Sequence, residues 1–272
     1  MNGQKNRRMT CSAPHPSVLL CVLTGLWLVF CLTPRMPAAV QADSPLPEDQ
    51  RVEVSQPPLP EDTAAPDEEG EKPKLIALTF DDGPKRSTTG ALLDGLAERG
   101  AQATFFLIGA QLEGNEDLLL RMEAEGHEIG IHTYGHVQLT ALSRADFDDQ
   151  VERTRAILKR VLGHNGFLLR PPYGSLDESV RQWAGAPIIL WSIDPEDWKD
   201  KDTARVVEHI VSHAEDGSII LLHDIYPESV EAALEVIDRL HAQGYYFVTV
   251  SDLFAENSVT LEPGGVYRQV EN

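Results

Sequence analysis

From Leu75 onward the chain alternates. Short, near-continuous apolar runs (residues 76–80, 104–109, 128–132, 167–171, 187–193, 218–223 and 246–251) are separated by stretches of helical period (88–99, 112–125, 144–162, 203–214 and 228–243). A strand that is apolar at successive positions is buried on both faces, and a helix lying between two such strands supplies the cover. The alternation therefore predicts a parallel α/β sheet, open or closed. Seven such units suit a distorted (β/α)7-type barrel, shorter than the eight-unit one. Gly100, Gly126, Gly163, Gly217 and Gly244 follow the helical stretches, as helix stops should.

The polar residues fall where this architecture places active sites. Asp81-Asp82, His132, Arg170, Asp194 and His223 all stand at the C-terminal ends of expected strands. His132 and His136 are four apart, and with one aspartate they make a borderline-hard N/N/O ligand set. Such a set suits Zn²⁺, Co²⁺ or another divalent transition metal. Whichever aspartate of the Asp81-Asp82 pair does not bind the metal is then placed to act as a base, which points to metal-assisted hydrolysis. His209 and His213 repeat the spacing, but they lie inside a helical stretch with no carboxylate motif beside them. They read as surface or packing residues.

The first 42 residues differ from the rest. Lys5, Arg7 and Arg8 precede the apolar run 17–32, and small residues up to Ala42 follow. This is the pattern of a secretory signal peptide, with an uncleaved N-terminal membrane anchor as the alternative. Residues 43–74 are rich in Pro, Glu and Asp and read as a disordered acidic linker. All three cysteines (Cys11, Cys21 and Cys31) lie in the leader, so the remainder has no disulfide, thiolate site or cysteine nucleophile. The formal charge is -20, and the leader holds four basic and no acidic residues, so the rest carries about -24. That balance excludes nucleic acid as a natural partner and disfavours anionic surfaces.

Five segments make the reading specific. They are Thr79-Phe80-Asp81-Asp82-Gly83-Pro84, His132-Thr133-Tyr134-Gly135-His136, Arg170-Pro171-Pro172-Tyr173-Gly174, Trp191-Ser192-Ile193-Asp194-Pro195-Glu196-Asp197-Trp198 and Leu221-Leu222-His223. In this order they resemble the five motifs of the NodB-homology polysaccharide deacetylase family, also called carbohydrate esterase family four. The resemblance runs from about Leu75 to Phe254 and is most like bacterial peptidoglycan N-acetylglucosamine deacetylases.

The resemblance implies a role for each residue. Asp82, His132 and His136 are the metal ligands, with Zn²⁺ the first choice and Co²⁺ or Ni²⁺ the alternatives. Asp81 is the base, oriented and kept ionised by Arg170. His223 is the acid, paired with a carboxylate of the fourth motif, Asp194 by first choice and Asp197 otherwise. The Tyr173 backbone N–H faces the oxyanion, and Trp198 and Leu221 line the acetyl pocket.

The expected organisation is a leader (1–42), a linker (43–74), a catalytic domain (75–256) and a short tail (257–272). The expected protein is secreted, or anchored at the bacterial cell surface. It hydrolyses N-acetyl groups on a cell-surface polysaccharide, peptidoglycan first. N-acetylmuramic acid residues, chitin oligomers, xylan O-acetyl esters and a non-catalytic glycan-binding role are the alternatives.

Overall fold

The first strand, β1 (Lys74–Asp81), shows why both faces of the sheet must be covered. Its side chains alternate between two packed clusters. Ile76, Leu78 and Phe80 join Leu92, Leu96, Val236 and Leu240 in the larger one. Leu75 and Ala77 join Phe106, Leu168, Ile189 and Ile219 in the smaller one. Continuing the alternation, Thr79 and Asp81 fall on the same side as Leu75 and Ala77. The computed structural model describes residues 73–271, so the leader and nearly all of the acidic linker lie outside the described residues.

The remaining elements follow in order: α1 (Thr89–Arg99), β2 (Ala103–Leu107), α2 (Glu116–Ala124), β3 (Glu128–Ile131), α3 (Arg144–Leu162), α4 (Glu178–Trp183), β4 (Ile188–Ile189), α5 (Asp197–Asp200), α6 (Thr203–His213), β5 (Ile219–His223), α7 (Pro227–His241), β6 (Tyr245–Phe247), α8 (Val250–Glu256) and β7 (Val266–Tyr267). Strands β3, β2, β1 and β5 lie side by side, all parallel, and β6 shares an edge of β1 with β2. Single parallel bridges carry the ring onward, from Ile131 to Leu169, from Leu169 to Ile188 and from Ile193 to Ile220. The result is a closed but irregular parallel α/β barrel. The glycine stops behave as expected: Gly100 and Gly163 cap α1 and α3 in the left-handed region.

Two expected strands change. The run 167–171 makes only bridges, because Pro171 and Pro172 bring no N–H to a ladder. The run 246–251 splits: its strand ends at Phe247, and the Thr249 side chain accepts the Asp252 N–H to open α8. The short tail 257–272 packs onto the barrel. Val266 and Tyr267 pair in parallel with Ile188 and Ile189, and Val270 is buried against Gly217. Among the described residues no helix is long and apolar enough to cross a membrane.

Candidate metal centre and active site

Parallel register brings the chemistry to one end of the barrel. Asp81 is level with His223 across β1 and β5, and Ile131, just before His132, ends β3 on the far side of β2. Asp81 points inward and is buried. Facing it inside the barrel is Arg170, the largest fully buried side chain, at 0% exposure. Arg170 Nη1 donates to Asp81 Oδ1 (2.8 Å) and to Thr79 Oγ1 (2.7 Å). Its Nε and Nη2 donate to the Ile189 and Leu190 carbonyls (3.1 and 3.0 Å), and its guanidinium lies over the Phe106 ring. Burial pushes the Asp81 carboxyl up. The charges of Arg170, His132 and His223, with the Arg170 hydrogen bond, outweigh it and hold the group below the usual carboxylate value.

Asp82, one residue on, turns away from the barrel interior through a left-handed backbone conformation (φ 71°). Its Oδ1 lies 3.6 Å from His132 Nε2 and 3.3 Å from His136 Nε2. It is buried and accepts no hydrogen bond. His132 Nδ1 sits 2.8 Å from the Arg170 carbonyl oxygen, which only accepts. That nitrogen therefore carries the hydrogen, and Nε2 presents a lone pair. Burial lowers the His132 pKa and keeps the ring neutral. His136 Nδ1 is 3.3 Å from the Tyr173 hydroxyl, which leaves its Nε2 aimed at Asp82 as well.

The His132 lone pair and the Asp82 carboxylate oxygen face each other with no donor between them, and His136 Nε2 offers a second lone pair when its Nδ1 donates to the Tyr173 hydroxyl. A cation satisfies all three, so the residues fit a divalent ion on their own chemistry. Among the described residues, Asp82, His132 and His136 form the one group of this kind, with ligand atoms within 4.8 Å of one another. His209 and His213 instead stack on each other in α6, and His213 Nδ1 lies 2.7 Å from the His209 carbonyl.

The fourth motif holds a correction. His223 Nδ1 pairs with Asp197 Oδ1 at 2.8 Å, and the His223 N–H donates to Asp197 Oδ2 at 2.9 Å. Asp194, the first choice for this place, turns its Oδ1 to the Glu196 N–H (2.9 Å). The reason is local. Asp194 is taken up by the backbone two residues on, whereas Asp197 opens α5, which packs against β5. Burial lowers the His223 pKa, but the Asp197 hydrogen bond and charge, with Asp81 and Asp82 behind, raise it to about 9.

Trp198, next to Asp197 on α5, is half exposed at 48%, and Tyr173 is 67% exposed, with its ring edge against His136. Leu221 is buried on β5 yet belongs to neither packed cluster. Among the described residues, five of the seven non-glycine residues at positive φ are Asp82, Thr133, His136, Tyr173 and Glu196, all in the loops of this site. Strain of this kind gathers where side chains are aimed for function, and nothing in residue type announces it.

The fold and the site together define a parallel α/β barrel with a candidate Asp/His/His metal centre, flanked by a buried Asp–Arg pair and an Asp–His pair. Residues 68–186 match the family model for polysaccharide deacetylase. Over 200 residues the chain is 42% identical to the peptidoglycan-N-acetylmuramic acid deacetylase PdaC of Bacillus subtilis (strain 168), covering 73% of this chain and 43% of that protein. The structure of the same relative superposes with a TM-score of 0.67 at 41% identity, covering 69% of this chain and 93% of that one. A peptidoglycan-N-acetylglucosamine deacetylase of Bacillus cereus is 37% identical over 188 residues, or 66% of this chain and 88% of that protein.

A family 4 acetyl xylan esterase from Clostridium thermocellum, solved in complex with a cobalt ion, gives a TM-score of 0.70 at 29% identity over 73% of this chain and 100% of that one. This chain belongs to the polysaccharide deacetylase family. It spans less than half the length of its Bacillus subtilis relative.

Proposed function

We propose that this protein is a metal-dependent hydrolase that removes N-acetyl groups from a cell-surface polysaccharide and releases acetate. One observation carries the reading: the buried Asp81–Arg170 pair, 3.6 Å from His132, and the His223–Asp197 pair, level with Asp81 on the next strand, both stand beside the Asp82, His132 and His136 cluster. That is a base and an acid set for opposite ends of one bond cleavage.

Asp82, His132 and His136 would hold the ion, with Zn²⁺ the first choice. When bound, a divalent ion supplies Lewis acidity, polarising an acyl oxygen and acidifying water. Asp81, kept ionised by Arg170, takes the proton from the attacking water. His223, kept protonated by Asp197, gives a proton to the leaving nitrogen. The Tyr173 backbone N–H stabilises the developing oxyanion. Trp198 and Leu221 border the acetyl group, Trp198 from the open side of the site.

The relatives named for peptidoglycan support that polymer as substrate, with N-acetylglucosamine or N-acetylmuramic acid as the sugar. The xylan esterase supports an O-acetyl ester as the second reading. Residues 1–42 act as a signal peptide and 43–74 as a spacer, so the protein works outside the cell or at its surface.

The test is acetate release by the full chain, first chelated and then resupplied with Zn²⁺ or Co²⁺. The substrates are peptidoglycan, N-acetylglucosamine oligomers and acetylated xylan, and Asp81→Asn is the control. Metal-dependent release that disappears in Asp81→Asn supports the proposal, and the preferred polymer names the substrate. No release from any polymer by metal-loaded protein overturns it.

A further inference from the structure

Beside the site lies a buried carboxyl that the proposed reaction does not use. Asp224 follows His223 at the end of β5 and has no exposed surface. Its Oδ2 accepts a hydrogen bond from the Thr89 hydroxyl in the first turn of α1. That hydroxyl in turn accepts the Lys85 N–H at 2.8 Å. The Asp224 Oδ1 has no hydrogen-bond partner and is packed against Gly83. A Cβ at Gly83 would meet the two carboxyl oxygens at 2.5 and 2.7 Å. On the other side, the Gly83 carbonyl accepts the Ile108 N–H at 3.0 Å. Residues 82–85 are therefore gripped from three directions, by β5, by α1 and by the end of β2.

We propose that Asp224 and Thr89 are positioning residues for the metal centre: their linked hydrogen bonds clamp the Asp82-Gly83-Pro84-Lys85 loop and so aim the Asp82 carboxylate at His132 and His136. The inference rests on the metal reading of that cluster. Asp82 needs such a clamp for two reasons. Its backbone lies in the left-handed region, which carries a strain cost even for aspartate, one of the non-glycine residues that tolerate it best. Its Oδ1 is also pointed at His132 Nε2 and His136 Nε2 with no hydrogen bond of its own to keep it there. A free loop would relax both. Gly83 is required for a separate reason, since any side chain there would displace the carboxyl that does the clamping.

The experiment measures Co²⁺ binding to the full, metal-stripped protein through the ion's visible absorption, and Zn²⁺ binding by competition with a chelator. Thermal melts of the metal-free proteins run alongside. Thr89→Val removes the hydroxyl and keeps the shape. It is expected to weaken metal affinity about 10–100-fold, as loss of an outer-shell support does, and to change the Co²⁺ spectrum. Thr89→Ser restores both. If Thr89→Val does not fold, Gly83→Ala makes the same test from the other side of the carboxyl. A merely structural role predicts a lower melting temperature with affinity within twofold of the parent, and that result overturns the proposal. A parent protein that binds neither ion sinks the metal reading instead, which keeps the two failures apart.

Discussion

Arg170 ends on two carbonyls, a hydroxyl and a carboxylate, all of them buried. Such a group is costly to desolvate, and removing it strands Asp81 as an uncompensated buried charge. Arg170→Met is therefore expected to lower unfolding free energy by about 3–5 kcal/mol in denaturant titration. Adding Asp81→Asn to that variant should recover part of the loss, because the stranded charge is then gone. Equal stability of the single and double variants would mean that the pair is not coupled as drawn.

His223 gives a prediction with a sign. Its folded pKa stands at about 9, above the ordinary 6.5. Its contribution to stability is thus complete below pH 6.5 and lost as pH rises through 9. A protonated acid also remains available through neutrality, so the rate of acetate release should fall only as pH rises towards 9. Asp197→Asn leaves the ring in place but removes the charge, and the alkaline limb should move down by roughly 1–3 units. An unmoved limb would assign the acid role elsewhere. Asp81, Asp82, His132, Arg170 and His223 stood out in the sequence by residue type at strand ends, and the family resemblance supplied their roles and the remaining site residues. The choice between Asp194 and Asp197 was not legible from either. It depends on which carboxylate the nearby backbone takes up and which one α5 presents, and three residues of separation say nothing about that.

Elements show the same division. The apolar period of residues 144–162 predicts α3 to the residue, because a Ser143 cap and a Gly163 stop bracket it. Shorter pieces defeat the pattern. Two-residue strands such as β4 and β7 hold by tertiary pairing, and the six residues of α4 are too few to show a period. The pairing of β7 with β4 makes the last residues part of the barrel wall that carries Leu190, one of the carbonyls on Arg170. Deleting residues 259–272 is expected to cost about 2 kcal/mol or more from Val270 alone, read as a lowered melting temperature. Gly217→Ala should act in the same direction. Gly217 has φ 88°, and an added Cβ would lie 2.8 Å from the Val270 carbonyl oxygen. A truncated protein as stable as the parent would show that the C-terminal pairing contributes nothing.

At the scale of the whole molecule, the charge of -20 sets a long-range field that the site cannot escape. A glycan whose muramic acid residues and peptide stems carry carboxylates is repelled as it approaches, whereas a neutral N-acetylglucosamine oligomer is not. Screening separates the two cases, since the Debye length shrinks from about 30 Å at 0.01 M salt to about 8 Å at 0.15 M. kcat/KM for acetate release from the carboxylated glycan should therefore rise severalfold over that range, and kcat/KM for the neutral oligomer should stay level. The effect belongs to encounter, so kcat should change little in either case. A fall with salt on the carboxylated glycan would mean that cations near the site mouth outweigh the field of the whole chain. Lys85 and Lys201, at the Ile225 carbonyl and over the Tyr226 ring, would then be the first side chains to neutralise.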